Sequence, residues 1–374
     1  MFIHTNKGGR NEVCYTMARK LARRRIAESD AINVLLNVWN KQYVDPPLPE
    51  SEVTLTVKNA YKKGMTNFDD SANLKEVSFN VQDCLEETIN DLQQVNKNAM
   101  LTGFRDLDAF TMGFSPEELI WVVGRSGNFK SALLTKLLYQ GAKSLNKPAL
   151  YFSMEMGKRT MVPRLIQLSE KVNRKTAIEA LKSAGSSEAF KNTMDNFDLV
   201  KFIFKSGLTT ESMLAIIEKH QEKYGQLSAI GIDYLGLFKD CNNNTDRTAK
   251  QAAELKSIIA KAANCPVFCL VQAKQLYEGR YGDIELDRRC PKDSDSILDL
   301  GDFALGLWGS WTPTTDGEEK LIYGRFFKSR GYDEEVFGDN PVFCLVIDKP
   351  HLDIKDIIHV PNPPQFKQVN GRDD

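Results

Sequence analysis

From about residue 100 onward, short apolar runs rich in β-branched residues alternate with longer segments whose apolar positions recur every three to four residues. The runs predict buried strands at 119–123, 148–153, 200–204, 228–233, 266–271, 303–308, 322–328 and 342–348. The periodic segments predict helices at 130–144, 158–170, 209–224 and 247–263. Strand alternating with helix argues for an α/β fold with a central, mostly parallel sheet, expected over 100–360. Ahead of it, 1–64 predicts a small helical domain. One helix covers 13–26. A second follows the N-cap residues Glu28, Ser29 and Asp30, and a third starts at Ser51-Glu52 after the stiff turn Asp45-Pro46-Pro47-Leu48-Pro49. The polar linker 65–99 contains one amphipathic helix, 80–95. Its stripe of Val81, Cys84, Leu85, Ile89, Leu92 and Val95 needs a partner surface, either in its own domain or on a neighbouring copy. The Pro-rich stretch 361–374 is expected to be a disordered tail.

Composition narrows the function classes. The 374 residues suffice for one large domain plus a small one, and the net charge of −1 leaves no global basic field. Nucleic-acid contact would therefore come from local patches. Seven Cys and four His show no metal-like spacing, so reduced thiols in a cytosolic setting are expected, in a bacterial or phage-infected cell. No signal peptide and no long uncharged apolar run is present, which argues against secretion and a membrane span.

The most informative stretch is the apolar run Ile120-Trp121-Val122-Val123 followed by Gly124-Arg125-Ser126-Gly127-Asn128-Phe129-Lys130-Ser131. Strand, glycine turn, Lys-Ser and helix form the layout of a phosphate-binding loop. Backbone N–H groups cradle the phosphates, Lys130 reaches the β/γ oxygens, and the Ser131 hydroxyl ligates Mg²⁺. Phe129 stands where the pattern G-x-x-x-x-G-K-[ST] has Gly; a right-handed helical backbone there would tolerate it. Further strands end on polar residues, where open α/β sheets bind ligands. Glu155 follows one and could orient and deprotonate an attacking water. Asp233 ends another and could hold Mg²⁺ through its water shell. Gln272 ends a third and could sense the γ-phosphate. Lys328 and Arg330, at alternate positions, share a face and could meet a phosphate together; the plainer reading is surface pairing with Asp333, Glu334 or Glu335.

These motifs carry a resemblance. L-T-G-F-R-D-L-D at 101–108, F-S-M-E-M at 152–156, I-D-Y-L-G-L at 232–237, L-V-Q-A-K at 270–274 and K-S-R at 328–330 resemble, in order, motifs of DnaB-like replicative helicases. The resemblance implies a RecA-like P-loop domain and a ring, usually a hexamer. It implies ATP between subunits, with Lys130, Ser131, Glu155, Asp233 and Gln272 on one side and Lys328 and Arg330 entering from the neighbour. The 80–95 helix would then be the linker that docks on the adjacent subunit. Channel loops would contact single-stranded DNA, through Arg247 and Lys250 in one stretch and Lys274, Arg288, Arg289 and Lys292 in another; K-D-S-D stands at 292–295 where the family usually has R-E-S-G. Within 1–64, G-G-R-N, then W-N and D-P-P-L-P-E-S-E-V with V-K-N-A-Y, resemble the helical C-terminal module of some bacterial and phage primases. No primase catalytic core precedes that module in the sequence, so primase activity is not expected of this chain alone.

Two function classes follow. One is an ATP-dependent replicative helicase that travels on single-stranded DNA and unwinds duplex, with primase, polymerase or a helicase loader as partners. The other, kept open by Phe129, is a nucleotide- and DNA-binding loader, recombination mediator or primase accessory with weak or no unwinding activity.

Overall fold

The computed structural model describes residues 10–23, 27–41, 44, 47–65, 99–183, 190–239, 245–274, 285–292, 297–314, 317–330, 332–364 and 366. The expected linker helix 80–95 and most of the expected tail, 367–374, lie outside these residues. The chain divides into two compact units, 1–89 and 90–374.

In the first unit, helices span Arg10–Arg23, Glu28–Val34 and Glu50–Met65, and the second runs on as a π-helix over Leu35–Asn40. Cys14, Ala18, Ala31, Leu35, Val53, Val57 and Ala60 are fully buried against one another. Asn40 fastens the approach to the third helix: its side-chain amide donates to the Leu48 carbonyl and accepts from the Leu48 N–H, both at 2.8 Å.

The second unit is built on a nine-stranded sheet of order β3-β2-β4-β5-β1-β6-β7-β8-β9. The strands are β1 Leu119–Gly124, β2 Ala149–Ser153, β3 Val200–Ile203, β4 Ala229–Asp233, β5 Val267–Gln272, β6 Phe303–Thr314, β7 Gly317–Lys328, β8 Val342–Asp348 and β9 Asp353–Val360. Neighbours from β3 through β6 pair in parallel, and β6 through β9 pair antiparallel. In β1 the alternation of side chains sends Leu119, Trp121 and Val123 into one core cluster and Ile120 and Val122 into the other. Both faces are covered, which is why the strand reads as an unbroken apolar run rather than an alternating one. Helix Lys130–Leu145 covers one face with Leu133, Leu134, Leu137 and Leu138. Helix Thr210–Tyr224 and the helical run from Thr245 to Ala263 cover the other.

Several elements depart from the sequence expectation. The helix expected at 247–263 changes to a π-helix over Leu255–Ala260. β6 and β7 are longer than expected and form a hairpin. Strand β9 and helices Arg105–Thr111, Arg174–Ser183 and Lys191–Phe197 are additions to the expected elements. β9 is an edge strand whose Lys355 is exposed, and the Arg174–Ser183 helix buries only Ala177, so neither shows a full apolar pattern. In the Pro-rich stretch after Val360, Phe366 lies against Trp308 and Tyr323, with ring centroids 5.1 and 4.9 Å away.

Candidate active site at the ends of the parallel strands

The phosphate loop connects β1 to the N-terminus of helix Lys130–Leu145, so unpaired backbone N–H groups and the positive end of the helix dipole face the same space. Gly127 takes φ +82°, a conformation that favours glycine. Asn128, 4% exposed, donates its side-chain amide to the Leu307 carbonyl at 3.0 Å and ties the loop to β6. Phe129 is not right-handed helical. It has φ +57° and ψ +17°, in the left-handed region, because the loop must reverse direction just before the helix starts. For a non-glycine residue this costs roughly 1–2 kcal/mol. The half-buried ring packs on the cluster that contains Leu133, Met161 and Leu165, and this burial offsets the backbone cost.

A cavity of about 360 Å³ opens over the loop, within the usual range for ligand pockets. Arg125 through Ser131 line it, together with Glu155, Asp233 and Gln272. Strand order produces this convergence: β4 lies beside β2, and β5 lies between β4 and β1. The Met154 and Glu155 N–H groups donate to the Asp233 carbonyl at 2.9 and 3.2 Å, and Gln272 is level with Gly124 across the β1–β5 pair. Helix Lys130–Leu145 reaches β4 closely because Gly231 has no side chain; a Cβ there would come within 2.6 Å of Leu138.

Lys130 Nζ donates to the carbonyls of Gly124 (2.6 Å) and Arg125 (2.9 Å). Burial pushes its pKa down to about 8, against the pull of Asp233 and Glu155. Asp233, 1% exposed, is raised by burial, although hydrogen bonds from Ser131 and Tyr151 and the charges of Lys130 and Arg164 favour its ionised form. Tyr151 Oη donates to Asp233 Oδ2 at 3.0 Å. Glu155 is raised by burial and then by the Asp233 charge, with Lys130 and Arg164 opposing; this moves it towards the range of a general base. Arg125 Nε and Nη2 and Arg164 Nε are buried with no hydrogen-bond partner among the described residues. Buried, unpaired guanidinium nitrogens are costly unless an anion meets them.

Arg164 is absent from the residues that sequence reasoning selects, although a signal is present. On helix Lys158–Glu170 it falls on the stripe Met161, Leu165, Leu168, at a position the 3.6-residue period assigns to an apolar side chain. It lines the cavity together with those residues. Ser131 and Asp233 offer a hydroxyl and a carboxylate, the donor set Mg²⁺ takes alongside substrate phosphates.

Lys328 and Arg330 lie elsewhere. Both meet the segment at the N-terminal ends of the parallel strands: Lys328 Nζ donates to the Asp299 carbonyl at 2.6 Å, and Arg330 pairs with Asp302 and with Glu118. Among the described residues their partners are not Asp333, Glu334 or Glu335; Asp333 instead caps helix Glu334–Phe337. Asp302 accepts from the N–H of Leu119, at the start of β1, while the phosphate loop leaves the other end of that strand. At about 3.3 Å per residue the two ends are roughly 17 Å apart.

The cationic candidates for DNA contact fall in two places. Arg247 and Lys250 are exposed on helix Thr245–Glu254, with Lys250 3.8 Å from Glu254. Lys274, Arg288, Arg289 and Lys292 lie beyond the end of β5. Arg288 pairs with Asp299 at 2.8 Å and Arg289 with Asp287 at 2.7 Å; Lys292 is exposed and Lys274 half-buried. The Lys292 N–H donates to the Gln272 carbonyl at 2.8 Å, which joins this segment to the cavity.

Residues 99–295, more than half of the chain, match the DnaB-like helicase C-terminal domain, and residues 4–66 match the Primase C terminal 1 (PriCT-1) module. Over 312 residues the chain is 26% identical to the replicative DNA helicase DnaB of Haemophilus influenzae, covering 79% of this chain and 66% of that one. Over 258 residues it is 27% identical to the Pasteurella multocida DnaB, covering 65% and 55%. The chain thus spans about half to two thirds of the length of these curated relatives. In fold, the chain resembles a solved ATPase domain, with a TM-score of 0.62 at 16% identity over 75% of this chain and 99% of that one. A DnaB-like replicative helicase, solved in a study of its interactions with primase, aligns with a TM-score of 0.59 at 16% identity over 93% and 80%. Among the described residues no helix is long and apolar enough to cross a membrane.

Proposed function

The chain belongs to the DnaB-like helicase C-terminal domain family, and from that premise we propose that it is an ATP-driven motor that assembles as a ring and translocates on single-stranded DNA to unwind duplex. The loop amides, Lys130 and Arg125 would hold the β- and γ-phosphates, with Arg164 beside them. Mg²⁺ held by Ser131 and Asp233 would neutralise charge on the transferred phosphoryl group. Glu155 would accept the proton of the attacking water, and Gln272 would read the γ-phosphate and pass its loss to Lys292 through the shared backbone hydrogen bond. Exposed Arg247, Lys250, Arg288, Arg289 and Lys292, with half-buried Lys274, would grip the phosphate backbone of the strand, with a salt-dependent affinity.

The observation that carries this reading is the division of the site between the two ends of one sheet. The loop and its carboxylates occupy one end, and Lys328 and Arg330 occupy the other, roughly 17 Å along β1. The two cations therefore fit the loop of a neighbouring copy rather than their own, which a closed ring of identical subunits supplies. The test is single-stranded-DNA-stimulated ATPase of the wild type beside Lys130→Ala and Glu155→Gln. Both variants should lose at least about 100-fold in kcat. A wild-type rate no higher than theirs sinks the enzyme reading. Strand displacement on forked DNA then separates a helicase from a DNA-dependent ATPase that only binds and lets go.

A further inference from the structure

We propose that Asp302 and Glu118 are positioning residues for Arg330, holding its guanidinium at the subunit surface so that it meets the phosphates bound by a neighbouring copy. The inference rests on the trans-acting reading of Arg330 above. Both acids are 6% exposed, and each divides its two oxygens in the same way. Asp302 Oδ2 accepts from the Leu119 N–H at 2.7 Å and from Lys256 Nζ at 2.6 Å, and Oδ1 takes Arg330 Nη2. Glu118 Oε2 accepts from the Ser115 N–H at 2.8 Å, and Oε1 faces Arg330 Nη1 at 3.6 Å. One oxygen of each carboxylate is thus fixed by backbone, and the other is presented to the same guanidinium.

The Arg330 side chain is itself 56% exposed. A guanidinium carries five donors in a rigid fork, so engaging one edge leaves others free to meet an incoming anion. Without the two acids, a long side chain at the surface samples many rotamers, and ordering it on contact with phosphate costs on the order of tenfold or more in rate. Pairing with a half-exposed arginine adds little to fold stability. The contribution of these contacts should therefore appear in turnover and not in melting temperature.

The test uses the full chain with single-stranded DNA. Asp302→Asn should lower the stimulated kcat by about tenfold or more, with KM for ATP within about twofold, because the interaction is made at the neighbour's transition state. Asp302→Asn/Arg330→Ala should be no slower than Arg330→Ala alone, since Asp302 acts through Arg330. Mixed with Lys130→Ala subunits, which keep an intact Arg330, Asp302→Asn subunits should recover activity at some interfaces; mixed with Arg330→Ala subunits they should not. Wild-type kcat in Asp302→Asn beside an inactive Arg330→Ala overturns the proposal, as does a further loss in the double variant. Failure of Arg330→Ala and Lys130→Ala subunits to complement each other overturns the trans-acting reading itself, so the two failures are distinguishable. If Asp302→Asn does not fold, Glu118→Gln carries the test: a kcat lowered about threefold at unchanged KM supports positioning, and an unchanged kcat overturns it.

Discussion

At the C-terminal ends of the parallel strands, Arg125 and Arg164 hold buried guanidinium nitrogens without hydrogen-bond partners among the described residues, and Lys130 rests on two backbone carbonyls. At the N-terminal ends, Lys256 and Arg330 are matched to Asp302 and Glu118. Burial alone pushes the Asp302 carboxyl up, but the hydrogen bonds from Lys256 and the Leu119 amide, with the charges of Lys256 and Arg330, outweigh it and bring its pKa below the ordinary value. The same residue types thus do different work at the two ends of one sheet. Buried guanidinium nitrogens without partners under a cavity suit an anionic ligand, whereas at the other end the carboxylates neutralise Lys256 and hold one edge of the half-exposed Arg330.

The largest effect that sharpens this contrast is expected at Arg125. Arg125→Met should weaken binding of a non-hydrolysable ATP analogue by about 10- to 100-fold, the worth of charge-assisted hydrogen bonds to phosphate. Its melting temperature without nucleotide should be unchanged or higher, because a buried unpaired group is removed. Titration calorimetry beside a thermal melt checks both, and a melting temperature that falls by several degrees breaks the contrast. Lys256→Met, at the other end, should do the reverse. It leaves Asp302 short of a partner and should cost about 1–2 kcal/mol of stability in denaturant unfolding, with analogue binding within about twofold of the wild type.

A pH profile is the third probe. The Lys130 amine stands at about 8 before nucleotide binds. Bound phosphate favours the charged amine and raises its pKa, so binding takes up a proton above pH 8. Affinity is full below that pH and falls as pH rises through it, by about tenfold between pH 7 and pH 9. Calorimetry in buffers of different ionisation enthalpy reads the proton uptake, and a flat profile over this interval overturns the expectation that nucleotide recharges a partly neutral Lys130.

The smallest effect concerns Phe129. Phe129→Ala keeps the left-handed backbone cost and loses ring packing, whereas Phe129→Gly loses the packing and removes the cost. The Gly variant should be the more stable of the two by about 1 kcal/mol in denaturant unfolding. Equal stabilities would show that the loop relaxes its backbone once the ring is gone.

The residues around the cavity are readable because parallel strands buried on both faces leave apolar runs, and each run ends at a polar residue on the ligand side of the sheet. Glu155, Asp233 and Gln272 are found this way, after the loop itself supplies Lys130 and Ser131. Arg164 is not, since a cation on a helix usually reads as a solvated residue, and only its place on an apolar stripe marks it out. The conformation of Phe129 is not readable either: the residue type disfavours a positive φ, and only the turn between β1 and its helix imposes it. The partners of Arg330 had to be seen. Asp302 lies 28 positions away, and local candidates such as Asp333 are nearer in sequence.

Period and punctuation in the chain determined the α/β alternation, the loop and the strand-end acids, because those signals are local and arise from burial and backbone geometry. Tertiary structure alone decided the strand order that places β4 beside β2 and brings Asp233 to Glu155. It also decided which cations find carboxylates and which are buried under the cavity without one. Strand neighbours and ion-pair partners are contacts between residues distant in sequence, and they are settled only when the whole sheet assembles.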